Sequence, residues 1–383
     1  MDDALRPVVI VGGGPVGAAA ALGLARAGHA VTVLEARASL QADDRRTLAI
    51  AYGSQQILAG LGAWPDPADV TPITRIHVSQ RGRFGQTVLT AEEAAVPALG
   101  YVLRYNALVA AQAKALAAMP GVTVVTGATV TAVTPGEAVA TVTWQQEGQA
   151  RTLATRLAVL ADGGRALTTA TFGVPREQPY AQVALVAKVS TDQPHEGLAY
   201  ERFTPQGPLA LLPFEDHYAL VWTGTLPVVE GLLALSEAAF LARLQEAFGH
   251  RAGQFLTVTA RSHFPLTLKV VREVTRPHVL CIGNAAQTMH PVAGQGFNLG
   301  LRDAAALVAE ATGELGGTDM LGRYRTRRQR DRRVGIAATH ALVSGFSNDW
   351  PGWTQLRGQA LNAMNLWPWS RRALSRLMMF GAP

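Results

Sequence analysis

The sequence has a single cysteine, Cys281, and no run of about 18 apolar residues that could span a bilayer. One cysteine excludes an intramolecular disulfide and a cysteine-rich zinc cluster, so we expect a reducing, cytoplasmic location. The N-terminal stretch MDDALRPVVIVGGG has no basic segment followed by a cleavable apolar one, so no signal peptide is expected. Cys281 lies in the apolar run HVLCIGNAA, which predicts a buried strand residue and not a nucleophile.

Charge is also scarce, because charged residues make up 16% of the 383 residues and hydrophobic residues make up 48%. This composition is globular, and the length predicts two connected domains or one large composite fold. The net charge is +6, and the densest basic cluster is RYRTRRQRDRR, up to Arg333. It predicts either a solvated helix face or a contact with anionic lipid or a partner protein. No aromatic-rich motif accompanies it, so nucleic acid is not expected as a partner.

The first 35 residues have the pattern of a strand–turn–helix–strand unit. An apolar strand is predicted over Pro7–Val11, an alanine-rich helix over Ala18–Ala27, and a second strand over Val31–Leu34. The turn between the first strand and the helix holds three glycines in the spacing G-x-G-x-x-G: Gly12, Gly14 and Gly17.

Each glycine of this turn has a physical reason. The first permits the tight turn, the second lets a pyrophosphate approach the backbone, and the third lets helix and strand pack closely. The helix N-terminus offers free N–H groups to phosphates. Glu35 ends the second strand, 18 residues after Gly17 (35 − 17), where an acid accepts hydrogen bonds from ribose hydroxyls. The unit predicts dinucleotide binding and leaves FAD and NAD as alternatives.

Two later segments have the same strand-then-glycine character. LAVLADGGR predicts a strand that ends at Asp162, although Asp-Gly turns are common in proteins without ligands. CIGNAAQTMHPVAGQGFNLGLRD predicts a strand that ends at Gly283-Asn284, then a glycine-rich loop, then a helix from about Leu299 to Leu315. Such a loop and helix N-terminus can face an anionic group.

The fold class predicted is therefore α/β: a Rossmann-like FAD-binding domain with an inserted, mostly antiparallel β-sheet domain for the substrate and a C-terminal helical tail. The inserted sheet is predicted from repeated short β runs between Tyr180 and Trp222, followed by a helix at Ser236–Phe248. The predicted ranges are 1–75, 100–180 and 265–340 for the cofactor domain, 76–99 and 181–264 for the sheet domain, and 341–383 for the tail.

Three stretches in this order, GGGPVGAAAALGLARAGHAVTVLE, LADGG and GNAAQTMHPVAGQGFNLGLRD, resemble the single-component flavoprotein aromatic hydroxylases. The resemblance covers nearly the whole chain. The chain is most similar to the branch that hydroxylates the ring in ubiquinone biosynthesis, that of 2-polyprenyl-6-methoxyphenol hydroxylase. One departure from the wider family is Gly283-Asn284 in place of Gly-Asp, and this variant is common in the ubiquinone branch.

The resemblance implies FAD as the cofactor, NAD(P)H as co-substrate, and a polyprenylated phenol and O₂ as substrates. It implies a C4a-hydroperoxyflavin that hydroxylates the phenol ring, with the hard chemistry supplied by the cofactor. The cofactor contacts implied are Gly12, Gly14, Gly17, Glu35, Arg46, Arg104, Asp162, Asn284, Gly294, Gln295, Gly296, Phe297 and Asn298. The catalytic candidates are His290, Pro291 and Gly296. His290 is either a general base or a residue packed beside Pro291.

The substrate cavity is predicted on the inserted sheet, with apolar candidates that could equally form plain sheet core: Tyr200, Phe203, Leu211, Pro213, Phe214 and Trp222. The tail carries four of the seven tryptophans together with arginines, which predicts contact with the inner face of the cytoplasmic membrane. A packed terminal helix, an oligomer contact or a partner of a biosynthetic complex are alternatives. The enzyme alternatives are another flavin hydroxylase or a reductase of the same fold, and a third alternative is a flavin-binding scaffold without turnover.

Overall fold

The computed structural model describes residues 6–41, 43–44, 46–82, 85–289, 294–346 and 353–382. The strands are β1 (Arg6–Val11), β2 (Val31–Glu35), β3 (Thr47–Ala51), β4 (Val70–Ile73), β5 (Arg75–Gln80), β6 (Gln86–Thr90), β7 (Gly100–Arg104), β8 (Val122–Thr126), β9 (Thr129–Thr134), β10 (Ala140–Gln146), β11 (Gln149–Leu160), β12 (Arg176–Thr191), β13 (Leu198–Thr204), β14 (Gly207–Phe214), β15 (His217–Gly224), β16 (Phe255–Val270), β17 (Thr275–Arg276), β18 (Val279–Cys281) and β19 (Gln287–Thr288).

The helices are α1 (Pro15–Arg26), α2 (Tyr52–Gly60), α3 (Tyr105–Ala118), α4 (Ala166–Phe172), α5 (Leu226–Leu233), α6 (Glu237–Phe248), α7 (Gln295–Glu310), α8 (Thr318–Phe346), α9 (Trp353–Leu366) and α10 (Pro368–Phe380). None of the helices in this described part of the chain is both long enough and apolar enough to cross a bilayer.

The first sheet is the parallel core of the molecule, in the order β17-β18-β11-β1-β2-β8. Strand β10 also pairs with β11, and β9 pairs with β10. Strands β18, β11, β1, β2 and β8 run parallel to one another. The central strands read as nearly continuous apolar runs, as is typical of buried parallel strands, and β2 is buried at all five positions. Cys281 lies in β18 and is fully buried, which confirms the prediction from its sequence context.

The second sheet has the order β19-β16-β12-β15-β14-β13-β5-β6, and all its pairs are antiparallel except β13 with β5. It covers residues 176–224 and 255–270, together with the segments 75–90 and 287–288 from the flanking chain. One face packs against α5 and α6, and α6 contributes the aromatic side chains of Phe240 and Phe248. A small third sheet, β3-β7-β4, lies between the two large ones, and β14 contacts both β4 and β7.

The arginine-rich run lies in α8, and it serves two different surfaces. Arg323 and Arg327 are largely exposed and pair with Glu310, as expected of a solvated helix face. Arg328 lies on the side that packs against α7, where its side chain is only 6% exposed and its guanidinium bonds to both Asp303 and Asp331. The run is therefore partly a buried ion-pair network, which periodicity alone did not reveal.

The C-terminal helices close the open edge of the second sheet. Asn365 donates to the carbonyl of Gln86 (Nδ2–O 2.8 Å), and its carbonyl oxygen accepts from Thr87 (Oγ1–Oδ1 2.9 Å). Asn362 accepts from the backbone N–H of Gln86 at 3.3 Å. These side chains of α9 satisfy backbone groups of the edge strand β6 that would otherwise be open to another strand.

Candidate cofactor site and adjoining cavity

Four of the sequence-predicted positions meet at one edge of the first sheet. In the parallel register, Val11 of β1 lies beside Leu34 of β2 and Leu160 of β11, and Leu160 lies beside Cys281 of β18. The residues at the ends of these strands, or just beyond them, therefore lie side by side: Gly12, Glu35, Asp162 and Asn284. Ligands of open parallel sheets bind at this carboxyl edge, so the structure brings the three separated motifs to one place.

The glycines of the first turn divide into two kinds by what a side chain would meet. A Cβ on Gly17 would lie 2.1 Å from the carbonyl oxygen of Gly12, and one on Gly12 would lie 2.5 Å from that of Ala161. These two positions are closed by the protein itself. A Cβ on Gly14 would meet no atom within 4 Å. The space before Gly14, at the N-terminus of α1, is therefore open to a ligand, as the pyrophosphate position requires.

Glu35 is buried beside this turn and points back into it. Its carboxylate accepts hydrogen bonds from the backbone N–H of Gly13 at 2.7 Å and from the N–H and Nε of Arg37 at 3.0 and 2.8 Å. Burial raises the pKa of Glu35, but the hydrogen bonds from Arg37 and Gly13 outweigh burial, and the net pKa lies below its ordinary value of 4.5. The group is therefore a carboxylate acceptor at neutral pH.

The Asp162 and Asn284 turns lie against each other. A Cβ on Gly164 would come within 2.6 Å of the carbonyl oxygen of Asn284, so only glycine lets the two turns approach. Asp162 accepts from Thr168 Oγ1 at 2.6 Å and from Gly164 N–H at 3.1 Å through Oδ1. Its Oδ2 is buried without a hydrogen-bond partner among the described residues. A buried acceptor of this kind and the open space at Gly14 both suit a polar ligand along this edge.

The glycine-rich segment after β19 differs from its prediction. The sequence placed Gln295–Asn298 in a loop and began the helix near Leu299, whereas α7 begins at Gln295. Gly294 adopts φ 62°, a left-handed conformation that glycine tolerates, and so forms the N-cap. Asn298 holds this first turn in place by donating to the carbonyl of Gly294 at 2.7 Å and accepting from Ala51 N–H at 2.9 Å. A Cβ on Gly296 would meet no atom within 4 Å, so this turn also faces open space.

Arg46 and Arg104 lie beside the pairing of β3 with β7, where Thr47 opposes Arg104. Arg46 is exposed, pairs with Asp44 at 3.0 Å, and lies 4.4 Å from the ring centroid of Tyr105. Arg104 turns toward the second sheet, where its guanidinium bonds to Glu215 and lies 5.5 Å from the ring centroid of Phe214. The two arginines are neighbours in the backbone, but their side chains point to different surroundings.

An apolar cavity adjoins the first turn of α7. Its walls come from β3 and its neighbours in the third sheet, from β5 and β6 of the second sheet, and from α10. Its lining consists of Ala49, Ile50, Ala51, Ile73, Ile76, Leu89, Leu99, Gly100, Gln295, Asn298, Ser375, Met378 and Met379. Such a pocket, apolar with a few polar groups at one end, is typical of a site for a small organic ligand.

None of the six aromatic and apolar residues predicted to form the substrate cavity lines this one. Tyr200 and Trp222 stack on Phe248 and Phe240 of α6, with ring centroids 5.2 and 6.1 Å apart, and Leu211 faces the same way. For these residues the structure replaces the predicted cavity by a sheet–helix core. Pro213 opposes Tyr218 of that core, Phe203 is buried, and Phe214 packs with Ile73 and Val102 on the other side of the sheet.

Of the remaining predicted positions, Phe297 is half-buried against the hydrophobic core of the first sheet. His290 and Pro291 lie outside the described residues. Sequence reasoning missed Gln112 of α3, which is buried and donates to the carbonyl of Pro15 at 2.8 Å. Its Oε1 has no partner among the described residues. In the sequence, Gln112 could have been noticed because it is a polar residue on the otherwise apolar face of α3, which consists of Leu108, Val109 and Leu116.

A βαβ unit with an open phosphate position, an acidic residue at the second strand and two further turns on the same sheet edge defines a dinucleotide-binding protein. The pattern of the FAD binding domain family matches residues 6–336. Ubiquinone hydroxylase UbiL of Rhodospirillum rubrum is 36% identical over 91% of this chain and 83% of its own. The 3-demethoxyubiquinol 3-hydroxylase of Escherichia coli is 33% identical over 93% of this chain and 94% of its own.

The chain belongs to the FAD binding domain family and, within it, to the group that contains these ubiquinone hydroxylases. Its cofactor is FAD, and the resemblance found in the sequence is confirmed. The solved structure of p-nitrophenol 4-monooxygenase PnpA from Pseudomonas putida superimposes with a TM-score of 0.79 at 18% identity, over 99% of both chains. That likeness confirms the α/β fold class predicted from the sequence.

Proposed function

We propose that the protein is an FAD-dependent monooxygenase that hydroxylates the ring of a polyprenylated phenol in ubiquinone biosynthesis, with NAD(P)H and O₂ as co-substrates. The observation that carries this proposal is the apolar cavity that opens directly on the N-terminal turn of α7. An oily ligand beside a flavin-binding edge is what ring hydroxylation of an apolar phenol requires. The names of the relatives from R. rubrum and E. coli support ubiquinone as the pathway.

The residues fit FAD in an extended arrangement along the sheet edge. Gly12, Gly14 and Gly17 with the α1 N-terminus would hold the pyrophosphate, and Glu35 would accept from the ribose hydroxyls. Asp162 and Asn284 lie on the path toward α7, where Gly294 to Asn298 would hold the flavin ring. The sequence resemblance assigns Arg46 and Arg104 to the cofactor as well, although the Arg104 side chain faces Glu215 and Phe214. The first sheet thus serves the cofactor, and the second sheet with α10 serves the substrate.

Bound FAD supplies the redox chemistry, since reduction by NAD(P)H lets it activate O₂ for transfer of one oxygen atom to the ring. The chain contributes the surroundings. The N–H groups at the start of α7 carry partial positive charge, which stabilises negative charge on a ligand held there. The side chains of Ile50, Leu99 and Met379 make the adjoining space apolar and exclude water from the reacting groups.

The decisive experiment uses the purified holoprotein with a panel of phenols with and without a prenyl chain. We expect a prenylated phenol to accelerate NAD(P)H oxidation and to yield a product heavier by one oxygen atom. Stimulation by unprenylated phenols alone would favour another flavin hydroxylase, and oxidation without an oxygenated product would favour a reductase. Absence of NAD(P)H oxidation with every phenol would contradict the proposal and support a flavin-binding scaffold.

We also propose that the C-terminal helices contact an anionic membrane surface, the inner face of the cytoplasmic membrane, from which a polyprenylated substrate is drawn. Leu366, Trp367 and Trp369 are 75%, 53% and 69% exposed at the α9–α10 junction. On α10, an exposed stripe at helical spacing combines aromatic rings with two cations: Trp369, Arg372, Arg376 and Phe380. Aromatic rings with arginine suit the interface of an anionic bilayer.

Flotation with vesicles of mixed neutral and anionic phospholipid tests this contact. The double variant Trp367→Ser, Trp369→Ser should float markedly less than the wild type, whereas Leu256→Ser, an exposed apolar residue of β16, serves as the matched control and should not. Equal flotation of wild type and double variant would contradict membrane contact. Loss of binding to a partner protein, with unchanged flotation, would assign the same surface to a biosynthetic complex.

A further inference from the structure

Helix α10 has two sides with different surroundings. Trp369, Arg372 and Arg376 lie on its exposed side, whereas Ser375, Met378 and Met379 face inward and line the cavity beside the first turn of α7. Ser375 and Met379 are 5% and 2% exposed. A single terminal helix therefore forms the wall of the cavity that adjoins the α7 turn.

Two of the three polar side chains that line this cavity already form hydrogen bonds with backbone groups. Gln295 donates to the carbonyl of Met378 at 3.2 Å, which joins the α7 turn to α10. Asn298 bonds to both Gly294 and Ala51. Ser375 is the third polar side chain of the lining, and it is also the smallest side chain that α10 contributes to it.

We propose that Ser375 determines which substituted phenol ring the cavity accepts, because its small side chain leaves room on the α10 wall for a ring substituent next to the α7 turn. This inference rests on the proposed function. A ring held for reaction at the α7 turn must present part of its periphery to the wall beside that turn, and that wall is α10. A hydroxyl there also offers one polar partner to an oxygen substituent on the ring.

The α10 wall is fixed at both ends, so a larger residue at position 375 could not be relieved by a shift of the helix. Near its start, Arg371 forms a two-pronged pair with Glu93 (3.0 and 2.6 Å) and donates to the carbonyl of Asn365 at 2.9 Å. Beyond its end, Ala382 donates to Asp331 at 2.9 Å, and Asp331 is buried against Arg302.

The middle of the helix is equally constrained. A Cβ on Gly53 of α2 would lie 2.6 Å from the carbonyl oxygen of Met379, so α2 already touches the backbone of α10. A side chain enlarged at Ser375 must therefore project into the cavity. In an apolar binding pocket, one extra methylene changes the discrimination between two ligands by roughly 10- to 200-fold.

The experiment compares Ser375→Leu with Ala373→Leu, a matched enlargement on the exposed side of the same helix. The probes are two phenols that differ in one substituent, 2-farnesylphenol and 2-farnesyl-6-methoxyphenol, titrated into the holoprotein and followed by the perturbation of flavin absorbance. For Ser375→Leu we expect the Kd of the methoxy compound to rise at least ~10-fold while that of the unsubstituted phenol changes less than ~3-fold. Ala373→Leu should change neither value.

The outcomes separate the inference from the proposed function. If the wild type shows no perturbation and no NAD(P)H oxidation with either phenol, the proposed function fails. If the wild type responds but Ser375→Leu shifts both phenols equally, or neither, Ser375 is not a specificity residue. Should Ser375→Leu lose its flavin, Ser375→Thr adds one methyl group, and it should still weaken the methoxy compound more than the unsubstituted one. Equal weakening would overturn the inference.

Discussion

The cofactor edge of the first sheet and the α10 wall of the cavity are built on different principles. At the cofactor edge the backbone segments pack so closely that they exclude a side chain, since a Cβ at Gly17 or Gly164 would meet a carbonyl oxygen within 2.6 Å. At the α10 wall, side chains hold a terminal helix in place, through Arg371 with Glu93 and through Asp331 with Ala382. These closed glycine positions therefore tolerate almost no substitution, whereas the wall can change its lining and keep its position.

The difference matches the ligands that we propose for the two regions, the cofactor at the sheet edge and the substrate at the α10 wall. A cofactor of constant shape is matched by a turn in which backbone carbonyls restrict Gly12 and Gly17 to glycine, while Gly14 is left open toward the ligand. A substrate that varies in ring substituents is matched by ordinary side chains on a helix held from outside. The two regions are joined by Asp303, which accepts from Gly283 N–H at 3.0 Å and pairs with Arg328 at 2.7 Å, while Arg328 pairs in turn with Asp331.

The largest effect is expected where the two regions are joined. Asp303 is fully buried, so Asp303→Ala would leave the Arg328 guanidinium without one of its two carboxylates and Gly283 N–H without its acceptor. We expect the free energy of unfolding to fall by about 3 to 5 kcal/mol, measured by urea titration. Glu310→Ala removes the partner of the more exposed Arg323 and Arg327 and should cost less than about 1 kcal/mol. Equal losses would mean that the junction is not a buried network.

The second prediction breaks the cofactor edge alone. Gly17→Ala forces a Cβ against the Gly12 carbonyl, so we expect a loss of about 1 to 3 kcal/mol in unfolding free energy, with loss of bound FAD. The matched control is Gly231→Ala in α5, where a Cβ meets nothing within 4 Å. That change should be neutral or stabilise by up to about 1 kcal/mol. Retention of FAD by Gly17→Ala would show that the turn can widen.

The third prediction separates the two kinds of glycine at that edge. Gly14 has φ −66° and ψ 172°, which alanine adopts without strain, and its Cβ would meet no protein atom. Gly14→Ala should leave the melting temperature of the apoprotein nearly unchanged while weakening FAD binding at least ~10-fold, about 1.4 kcal/mol. Binding is measured by titrating apoprotein with FAD and following flavin fluorescence. Unchanged affinity would place the pyrophosphate elsewhere.

Sequence reasoning succeeded where neighbours in the chain decide the structure. The βαβ unit, the turn at Gly12 and the buried strand at Cys281 depend on patterns within about 30 residues, so they could be read directly. The start of α7 was placed four residues too late because a segment with Gly294 and Gly296 reads as a loop. The structure shows that Gly294 is the N-cap and that Gly296 belongs to the helix.

The cavity could not be read in the same way. Strand β14 is buried at seven of its eight positions, so its sequence lacks the alternation that would tell the cavity side from the helix side. Tyr200, Leu211 and Trp222 were therefore assigned to the cavity, although they face α6. The cavity in the structure brings Ser375 beside Ile50, more than 300 positions away in the chain, and no local pattern predicts a contact of that separation.

The smallest effect concerns the carboxylate at the cofactor edge whose pKa is lowered, Glu35. Its pKa in the folded protein lies below the ordinary 4.5, so its stabilising contribution is complete above pH 4.5 and is lost as the pH falls through the lower folded value. Glu35→Gln should therefore destabilise the apoprotein by about 1 kcal/mol at pH 7, where a charge-assisted acceptor is replaced by a neutral one. Urea titrations of both proteins should converge as the pH falls from 4.5 through the lower folded pKa, whereas Asp44→Asn, at an exposed pair, should show a much smaller difference at pH 7. A Glu35→Gln difference that stays constant down to pH 3 would mean that side-chain shape, and not the carboxylate charge, holds Gly13 in the turn.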